Sequence, residues 1–338
     1  MNQDQEPYIP GRYILQALES GFLHEKSAEE LKHLLSQNGL TLEDLERPDS
    51  RAPVRWFAHL VPKDETTDPL LLALKLGDSV RLTSQGDLSV VLMTSPTIRE
   101  AMQVSRYIPL QSNAAGLYFI ETNQAGYLLI DIHTGNEIVN LLISCYALAA
   151  LHRLMCINSG TQPNTITNVA AAKPAGFESL PLSDKGAWHF DQPVTCIIIE
   201  KSFLDYPSLY ADPLAHKTAK RACETALTHH QQSRDLCFLV RRLLEEEHLW
   251  EQDAVAERLH MSRSTLKRRL SQLGLTFNEL VNGVRKQVAV RRLLASEGSL
   301  QGVAEDLGYS DQSNFSHAFK KWFGVAPGEF IRLQQSKP

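Results

Sequence analysis

The sequence predicts an α+β domain followed by an all-α domain in which two helix-turn-helix motifs are joined by one long helix. Three observations support this prediction. The segment from Trp250 to Arg332 contains the same helix-turn-helix pattern twice. An apolar stripe at helical spacing lies between the two copies. The preceding chain is first rich in helix-like patterns and then mixes them with strand-like patterns, which is typical of α+β domains.

The length of 338 residues is sufficient for two domains that each bury a core of their own. We expect a first domain at residues 1–228, a linker at residues 229–234 and an all-α domain at residues 235–338. We interpret His229 and His230, which stand beside two glutamines, as part of a solvated linker rather than a metal site. The apolar fraction of 43% and the charged fraction of 22% are ordinary for a soluble globular protein.

The first domain is predicted from short periodic segments. Apolar residues at helical spacing or helix-start signals predict six helices: residues 13–18, 27–35, 54–60, the segment that begins at Pro96 and Thr97, 137–155 and 213–229. Ser27 and Glu30 are read as a capping box, and Gly39 as the stop of that helix. Short β-like runs predict five strands: residues 79–82, 88–93, 117–121, 127–132 and 194–200. Residues 85–87 are predicted to form a turn between the first two strands, and residues 123–126 to form the turn of a hairpin.

Two of these helices are candidates for a dimer contact. The helix at residues 137–155 is apolar on most of its circumference, which fits either burial in the core or contact with a second copy of the chain. The helix at residues 213–229 carries Lys217, Lys220 and Arg221 on its surface and is the other candidate.

The first helix-turn-helix copy begins at Asp253. Its apolar positions break at His260 and resume at Met261, which predicts a tight turn there. Ser262 is placed to cap the second helix through its hydroxyl. A left-handed backbone at His260 would cost less than at a β-branched residue, because histidine is among the residue types enriched at positive φ.

The second copy begins at Leu300 and repeats the pattern with one difference. Gly308 takes the place of His260, and glycine meets the need of a tight turn for positive φ directly. The next apolar anchor, Phe315, follows seven positions after Gly308, whereas Leu266 follows six positions after His260. The second turn is therefore predicted to be one residue longer.

A long helix is predicted between the two copies. Thr276 and Glu279 form a capping box, and the apolar stripe continues to about residue 296. At about 1.5 Å per residue, the helix of about nineteen residues has a length of about 28 Å. Two second helices separated by such a rod can enter successive faces of a DNA major groove, about 34 Å apart.

The charge distribution agrees with this geometry, although the total charge does not. The net charge of −5 taken alone argues against a nucleic-acid partner. Between Arg258 and Arg292, however, nine basic residues face a single acid, Glu279. The sequence therefore predicts a basic face on the repeated unit.

Residues 235–333 resemble the DNA-binding domain of the AraC/XylS family of transcriptional regulators. The match is densest at VAEDLGYSDQSNFSHAFKKWFG, residues 303–324, followed by Pro327 and Phe330-Ile-Arg332. The resemblance implies base contacts by eight residues early in the two second helices: Arg263, Ser264, Lys267, Arg268, Gln312, Ser313, Ser316 and His317. At His317 many members have a larger or basic residue, so this chain departs from the family there. Arg269 is assigned to phosphate or to a neighbouring acid, and Ser310 and Thr276 to helix caps.

The first domain bears a more diffuse resemblance, over about residues 10 to 225. It is similar to the N-terminal regulatory domain of the AraC-type subgroup that includes regulators of ornithine use and of virulence. The segments that carry this likeness are LTLEDL at 40–45, DPLLLALKLG at 68–77, SPTIREA at 95–101, Arg106-Tyr107 and ADPL at 211–214. The resemblance implies effector sensing, dimerisation or both, and it leaves the effector and its contact residues unassigned.

The expected function is an effector-responsive, sequence-specific transcriptional activator. We expect it to act as a homodimer on double-stranded promoter DNA, to recruit RNA polymerase and to need no cofactor or metal. Two enzyme alternatives stay open, a DNA-repair methyltransferase and a metabolite enzyme fused to a DNA-binding domain. Methyl transfer to cysteine needs an activated thiolate, and the five cysteines here are scattered without a CxxC pair.

The sequence also predicts a cytoplasmic location. The chain opens with a polar, acidic segment that lacks the pattern of a secretory signal. The longest apolar stretch, residues 141–154, is too short to span a bilayer.

Overall fold

A computed structural model describes residues 7–47, 50–60, 68–81, 86–132, 134, 136–231, 236–273, 275–295 and 298–335. The chain forms two compact units, one built largely from residues 7–230 and the other largely from residue 231 onward. The first contains helices and strands, and every regular element described in the second is a helix. The predicted fold class of both parts is confirmed.

The first unit contains nine described α-helices and seven described strands. The helices are α1 (Arg12–Glu19), α2 (Glu25–Gln37), α3 (Leu42–Glu46), α4 (Pro69–Asp78), α5 (Asp87–Thr94), α6 (Ile98–Met102), α7 (Glu137–Ser159), α8 (Lys201–Leu204) and α9 (Pro213–Gln231). The strands are β1 (Tyr8–Pro10), β2 (Arg51–Pro53), β3 (Ala115–Glu121), β4 (Ala125–Ile132), β5 (Thr165–Asn168), β6 (Ala187–His189) and β7 (Cys196–Glu200). Three 3-10 segments complete the unit: Val54–Leu60, Gln103–Leu110 and Phe177–Ser179.

A five-stranded mixed sheet forms one layer of the first unit, in the order β3-β4-β7-β5-β6. The predicted hairpin of β3 and β4 and the predicted strand β7 are both present, the latter beginning at Cys196. Ile197 of β7 lies opposite Leu128 of β4 on one side and Thr167 of β5 on the other, both in antiparallel register. β5 and β6 run parallel, with Thr167 opposite Trp188.

The apolar side chains of the first unit form two cores. The larger core contains side chains of α4, α5, α7 and the sheet, and the smaller one joins α1, α2 and the Val54–Leu60 segment to the first half of α7. Ile130 of β4 and Tyr146 of α7 pack against both. The sheet and α7 are therefore the scaffold on which both cores are built.

Helix α7 is buried in these cores. The Asn136 side chain accepts hydrogen bonds from the amides of Ile138 and Val139 at its start, and Gly160 ends it with φ of 67°. At 23 residues it is longer than the predicted apolar stretch, and by length and composition it is the one described helix that is able to cross a membrane. However, 61% of its apolar window is buried inside the protein. This burial favours the core interpretation of α7 over a dimer contact.

The strand predictions at residues 79–82 and 88–93 are wrong. Ser79 to Arg81 form no strand, and residues 82–85 lie outside the described part of the chain. The second run lies in α5, where Leu88, Val91 and Leu92 are buried. These positions recur at the spacing of one helical face, and α5 packs this face into the larger core. The predicted turn at residues 85–87 is also not formed between strands: residue 85 lies outside the described part of the chain, Gly86 precedes α5 with φ of 59°, and Asp87 is the first residue of that helix.

The predicted capping box at Ser27 is also wrong. Helix α2 begins two residues earlier, at Glu25, and the His24 ring accepts a hydrogen bond from the Lys26 amide. Ser27 lies inside the helix and is buried. The predicted stop is correct, since Gly39 has φ of 67°. The predicted helix at residues 54–60 is present as a 3-10 segment.

The second unit contains seven described helices: α10 (Leu236–Glu246), α11 (Gln252–Arg258), α12 (Arg263–Gln272), α13 (Phe277–Ala295), α14 (Leu300–Asp306), α15 (Gln312–Phe323) and α16 (Pro327–Gln335). The long helix α13 packs against α10, α14 and α16. Helix α9 continues to Gln231, so residues 229–231 of the predicted linker are helical, whereas residues 232–234 lie outside the described residues.

Candidate nucleic-acid interface

The first helix-turn-helix motif consists of α11 and α12. His260 adopts φ of 55° in the turn, and the Met261 amide donates a hydrogen bond to the Ala256 carbonyl oxygen over 3.0 Å. The Ser262 hydroxyl accepts a hydrogen bond from the Thr265 amide over 3.2 Å and caps α12. The left-handed turn and the serine cap predicted from the sequence are both confirmed.

The second motif, α14 and α15, repeats this geometry. Gly308 adopts φ of 73°, and the Tyr309 amide donates to the Ala304 carbonyl oxygen over 2.9 Å, as Met261 does in the first copy. Helix α12 begins three residues after His260, and α15 begins four residues after Gly308. The predicted extra residue of the second turn is therefore present.

The cap of α15 differs from the prediction. Asp311, not Ser310, caps the helix, since its carboxylate accepts a hydrogen bond from the Asn314 amide over 2.8 Å. This bond is the main cause that holds the pKa of Asp311 below its ordinary value. Ser310 supports the cap indirectly, because its hydroxyl donates a hydrogen bond to the Asp311 carboxylate over 3.1 Å. A carboxylate is the better acceptor at the positive end of a helix dipole.

Helix α13 connects the two motifs. The capping box is formed, with the Thr276 amide donating to Glu279 Oε2 over 2.7 Å and the Glu279 amide donating to Thr276 Oγ1 over 3.2 Å. The helix has 19 residues, which corresponds to a length of about 28 Å. Eleven of these residues are buried, so α13 is a core element of the second unit as well as a connector.

Arg285 of α13 joins the two motifs through aromatic rings. Its guanidinium carbon lies 5.1 Å from the centroid of the Trp250 ring and 4.8 Å from that of Tyr309. Trp250 precedes the first motif and donates its indole N–H to the Asp306 carbonyl oxygen of α14 over 3.0 Å. We call Trp250, Arg285 and Tyr309 the aromatic clamp. It ties the start of one motif to the turn of the other.

The structure places the eight predicted contact residues on two short helical faces. On α12 they are Arg263, Ser264, Lys267 and Arg268, and on α15 they are Gln312, Ser313, Ser316 and His317. Each set consists of two adjacent pairs one helical turn apart, so its members share a face. All are exposed except Ser316, which is half-buried. Both sets begin at the first residue of their helix. The amides of Thr265, Gln312 and Asn314 in these first turns donate to side chains of the protein.

The basic face is narrower than the sequence predicts. Ion pairs engage Arg258 with Glu247 at 3.0 Å, Arg291 with Glu245 at 2.8 Å, and Arg292 with Asp306. Acids outside the basic stretch therefore neutralise part of it.

The remaining cations lie mainly on α12. Lys267, Arg268 and Arg269 are exposed and make no ion pair or hydrogen bond within the part of the chain that the structure describes. Arg263 does pair with Asp253 at 2.8 Å, but the two side chains are 63% and 68% exposed. Such an exposed pair contributes little free energy, so a DNA phosphate or base can replace the aspartate.

Three further exposed polar residues of α15 were not selected from the sequence. Asn314 holds its amide nitrogen 2.8 Å from Ser310 Oγ and 2.9 Å from Asp311 Oδ2. Lys320 and Lys321 lie in the last turn of the helix. The two lysines could have been selected from the sequence, because they are adjacent basic residues. The orientation of Asn314 depends on its bonds to the cap and could not have been predicted from the sequence.

Metal-binding and thiol chemistry have little support in the described residues. Within the described ranges, no group of three or more histidine, cysteine or acidic side chains is placed to hold a metal ion. The five cysteines are free, and four are buried. Burial raises the pKa of Cys145 to about 12 and that of Cys223 to about 11, which is opposite to the change that a reactive thiolate needs.

Comparison with known proteins assigns both parts of the chain. Residues 255–333 match a helix-turn-helix domain family, and residues 30–208, more than half of the chain, match the N-terminal arabinose-binding domain of AraC transcription regulators. The ornithine utilization regulator of Pseudomonas aeruginosa is 26% identical over 264 residues, which cover 77% of this chain and 78% of that protein. The transcriptional activator FapR of Escherichia coli is 33% identical over 81 residues, covering 24% of this chain and 31% of FapR.

Among solved structures, the transcriptional regulator CdpR of Pseudomonas aeruginosa aligns over 91% of this chain and 98% of its own, with 18% identity and a TM-score of 0.42. The family assignment depends on the sequence matches to both domains and agrees with the two helix-turn-helix motifs described above. This chain belongs to the AraC family of transcription regulators, with an N-terminal domain of the arabinose-binding type and a C-terminal DNA-binding helix-turn-helix domain.

Proposed function

We propose that this regulator recognises a two-part promoter site by placing α12 and α15 in successive faces of the major groove. The observation that carries the proposal is the equivalence of the two motifs. Each begins its second helix after a left-handed turn, presents four predicted contact residues from the first turn onward, and is joined to the other by a helix about 28 Å long. That length approaches the separation of about 34 Å between successive major-groove faces.

Each predicted contact residue has a chemistry suited to DNA. Arg268 and Arg263 have the planar donor pair that binds the O6 and N7 atoms of guanine. Gln312 has the donor and acceptor that match adenine N7 and N6. The resemblance implies a base contact for Lys267; we propose instead that Lys267, like Arg269, contacts a phosphate, where a cation supplies affinity with little sequence preference. The remaining members of the two contact faces are polar side chains that can hydrogen-bond to bases: Ser264, Ser313, Ser316 and His317.

The regulator is further proposed to act as a homodimeric activator that recruits RNA polymerase in the cytoplasm, where promoter DNA and polymerase meet. The exposed side of α9 supports a dimer surface. Lys217 and Arg221 are exposed there, and Leu214 at the start of the helix is 76% exposed. Leu209 and Tyr210, shortly before the helix, are also exposed, by 63% and 45%. A group of exposed apolar side chains is a feature that an interface covers, whereas a single one is common on any surface. A small-molecule effector in the N-terminal domain would shift the arrangement of the two protomers and so the affinity for DNA.

The enzyme alternatives receive less support. A methyl-accepting cysteine needs a low thiol pKa, and burial raises the pKa of Cys145 and Cys223 instead. A tethered metabolite enzyme is tested by turnover assays on the purified protein, in which we expect no conversion.

The proposed recognition mode is tested by selecting binding sites from a random DNA pool with the full-length protein. We expect two motifs about one helical turn apart. Arg268→Ala should degrade one motif and Gln312→Ala the other, each by about 1–3 kcal/mol at the affected base. Arg258→Ala is the matched control, because Arg258 lies on α11, outside both predicted contact faces, and pairs with Glu247. Salt-sensitive binding without any motif, unchanged by all three substitutions, would overturn the assignment.

Activation is tested separately by transcription with purified RNA polymerase from a template that carries the selected site. We expect transcript to increase when the full-length protein is added, and to remain at the basal level with the Arg268→Ala variant. A fall in transcript on addition of the protein would identify a repressor and contradict the activator proposal.

A further inference from the structure

A cavity of about 140 Å³ lies in the first unit. Ile130 and Tyr146, the two side chains that pack against both apolar cores, line it. Its wall also includes side chains from α1, α5, the Gln103–Leu110 segment and β3. The cavity is therefore situated where the two cores meet, and a molecule inside it would contact both.

The wall of the cavity is chemically uniform. None of the described residues that line it is charged, and most are aliphatic. Two of its hydroxyl groups already donate to protein acceptors, Ser112 to the Tyr8 carbonyl oxygen over 2.7 Å and Tyr146 to Gln16 Oε1 over 2.8 Å. The space presents mainly carbon atoms to an occupant.

This wall disfavours a sugar, although sugar binding gives the domain family its name. A pentose carries a hydroxyl on nearly every carbon, and each hydroxyl that leaves water needs a hydrogen-bond partner in the protein. Each pentose hydroxyl can both donate and accept a hydrogen bond. The wall has five polar side chains, Tyr13, Ser89, Gln111, Ser112 and Tyr146, and two of them already donate their hydroxyl hydrogen to the protein, so they are too few to satisfy a pentose.

A carboxylate is disfavoured for a related reason. An anion in an apolar cavity needs a cation or several N–H donors beside it. Arg12, which precedes the lining residue Tyr13, is not itself part of the wall. None of the described lining residues supplies such a cation.

We propose that the cavity binds an uncharged, mainly apolar effector with one ring or a short alkyl chain, of about six to ten non-hydrogen atoms. The size follows from comparison with apolar protein cavities of about 150 Å³, which accept benzene. The inference rests on the proposed function, because it names the chemical class of the effector that the regulator would sense. Filling the cavity adds dispersion contacts to both cores and stabilises the first unit in its bound arrangement.

The test is a calorimetric and thermal-shift titration of the full-length protein with three probes of similar size. Benzyl alcohol is neutral and apolar, benzoate is its anionic counterpart, and L-arabinose is the sugar. We expect saturable binding and a raised melting temperature with benzyl alcohol alone. Tighter binding of benzoate or arabinose, or no saturable binding of benzyl alcohol, would overturn the proposal.

Two substitutions locate the binding. Ala147 lies in the wall, and Ala147→Leu should fill the cavity and weaken benzyl alcohol binding at least about tenfold. Ala172→Leu makes the same chemical change on an exposed loop residue and should leave binding unchanged. Equal affinity in both variants would place the ligand elsewhere and contradict the inference.

An enlarged cavity provides a test that does not depend on the folding of Ala147→Leu. Leu151 lines the cavity and is half-buried, so Leu151→Ala should shift the preference from benzyl alcohol towards the two-ring naphthalenemethanol. An unchanged preference would count against the site.

The same protein preparation is tested for binding to the selected promoter site. Intact DNA binding without benzyl alcohol binding would reject the effector class and leave the DNA-binding proposal standing. Loss of both would reject the proposed function itself.

Discussion

His260 and Gly308 hold the same left-handed backbone conformation at equivalent turns, with φ of 55° and 73°. Their surroundings differ. His260 is exposed, whereas a Cβ atom added at Gly308 would lie 2.5 Å from Trp250 Cδ1 and 3.2 Å from Arg285 Nη2. The first turn therefore accepts a side chain at a modest conformational cost, while the second is closed to one by the aromatic clamp.

Gly308→Ala should destabilise the second unit by about 2–4 kcal/mol. The left-handed backbone costs a non-glycine residue about 1–2 kcal/mol, and the new methyl group must displace Trp250, which adds an overpacking cost. Hydrogen exchange of the α13 and α14 amides is the measurement, because a chain of two units does not unfold in one step. His260→Ala, at the equivalent exposed turn, is the control and should change protection little. Equal effects at the two turns would show that the clamp does not constrain Gly308.

Much of the second unit was predictable because its signals are local. The left-handed residue, the Ser262 cap and the Thr276 capping box each depend on residues within one turn of helix. The repeat itself indicates the two motifs and the long helix between them. Among these local signals only the Ser310 cap failed, because the next residue, Asp311, occupies the cap position and is a stronger acceptor.

The first unit was less predictable, because its signals are ambiguous over short segments. The run from Leu88 to Met93 is short and apolar, and periodicity alone cannot separate a buried strand from a buried helix at that length. The strand prediction failed since packing into the larger core decides between the two. The hairpin of β3 and β4 was recovered because its turn residues lie between two apolar runs.

The chemistry of the candidate site was only partly readable. The eight contact residues come from the family resemblance, and the structure places them on two faces. Which cations remain unpaired was not readable, because partners such as Glu245 and Arg291 are 46 positions apart in the chain. The sequence therefore overestimates the width of the basic face and misses the clamp role of Arg285.

Lys267→Gln should reduce the salt dependence of DNA binding. Lys267 is exposed on α12, and the loss of one phosphate contact lowers the slope of log affinity against log salt by about 0.9. The measurement is a series of titrations of the full-length protein with its selected DNA site at increasing salt. Arg258→Gln removes a cation that Glu247 already neutralises and should leave the slope unchanged. Identical slopes for both variants would remove Lys267 from the phosphate contacts.

Arg285→Ala should weaken the coupling between the two motifs. The substitution removes the cation from between Trp250 and Tyr309 and should destabilise the second unit by about 1–2 kcal/mol, since each partly exposed cation–π contact contributes about 0.5–1 kcal/mol. Discrimination between DNA sites with native and altered motif spacing should fall. Lys286→Ala, the next residue along α13, is the control. Unchanged spacing discrimination in Arg285→Ala would show that α13 alone fixes the distance between the motifs.

The first unit should lose stability as the pH falls from about 6.5 to about 4, because of His152. The side chain is buried, and desolvation lowers its pKa from 6.5 to about 4. Below pH 6.5 the His152 imidazole of the unfolded chain binds a proton, whereas that of the folded chain stays neutral down to about pH 4. Folding therefore becomes less favourable by up to about 3 kcal/mol across this window. Above pH 6.5 the imidazole is neutral in both states and contributes no pH dependence.

The Trp188 ring, whose centroid lies 6.2 Å from that of His152, makes the loss observable as tryptophan fluorescence during unfolding at each pH. His152→Leu should flatten the curve, since leucine has no proton to bind. The substitution removes the Nε2 atom, which makes no hydrogen bond among the described residues, and the contact between Nδ1 and Cys156 Sγ at 3.7 Å. His33→Gln on the exposed side of α2 should keep the wild-type dependence. Parallel curves for wild type and His152→Leu would assign the acid sensitivity to other groups, and the neutral His152 would then be a passive core residue.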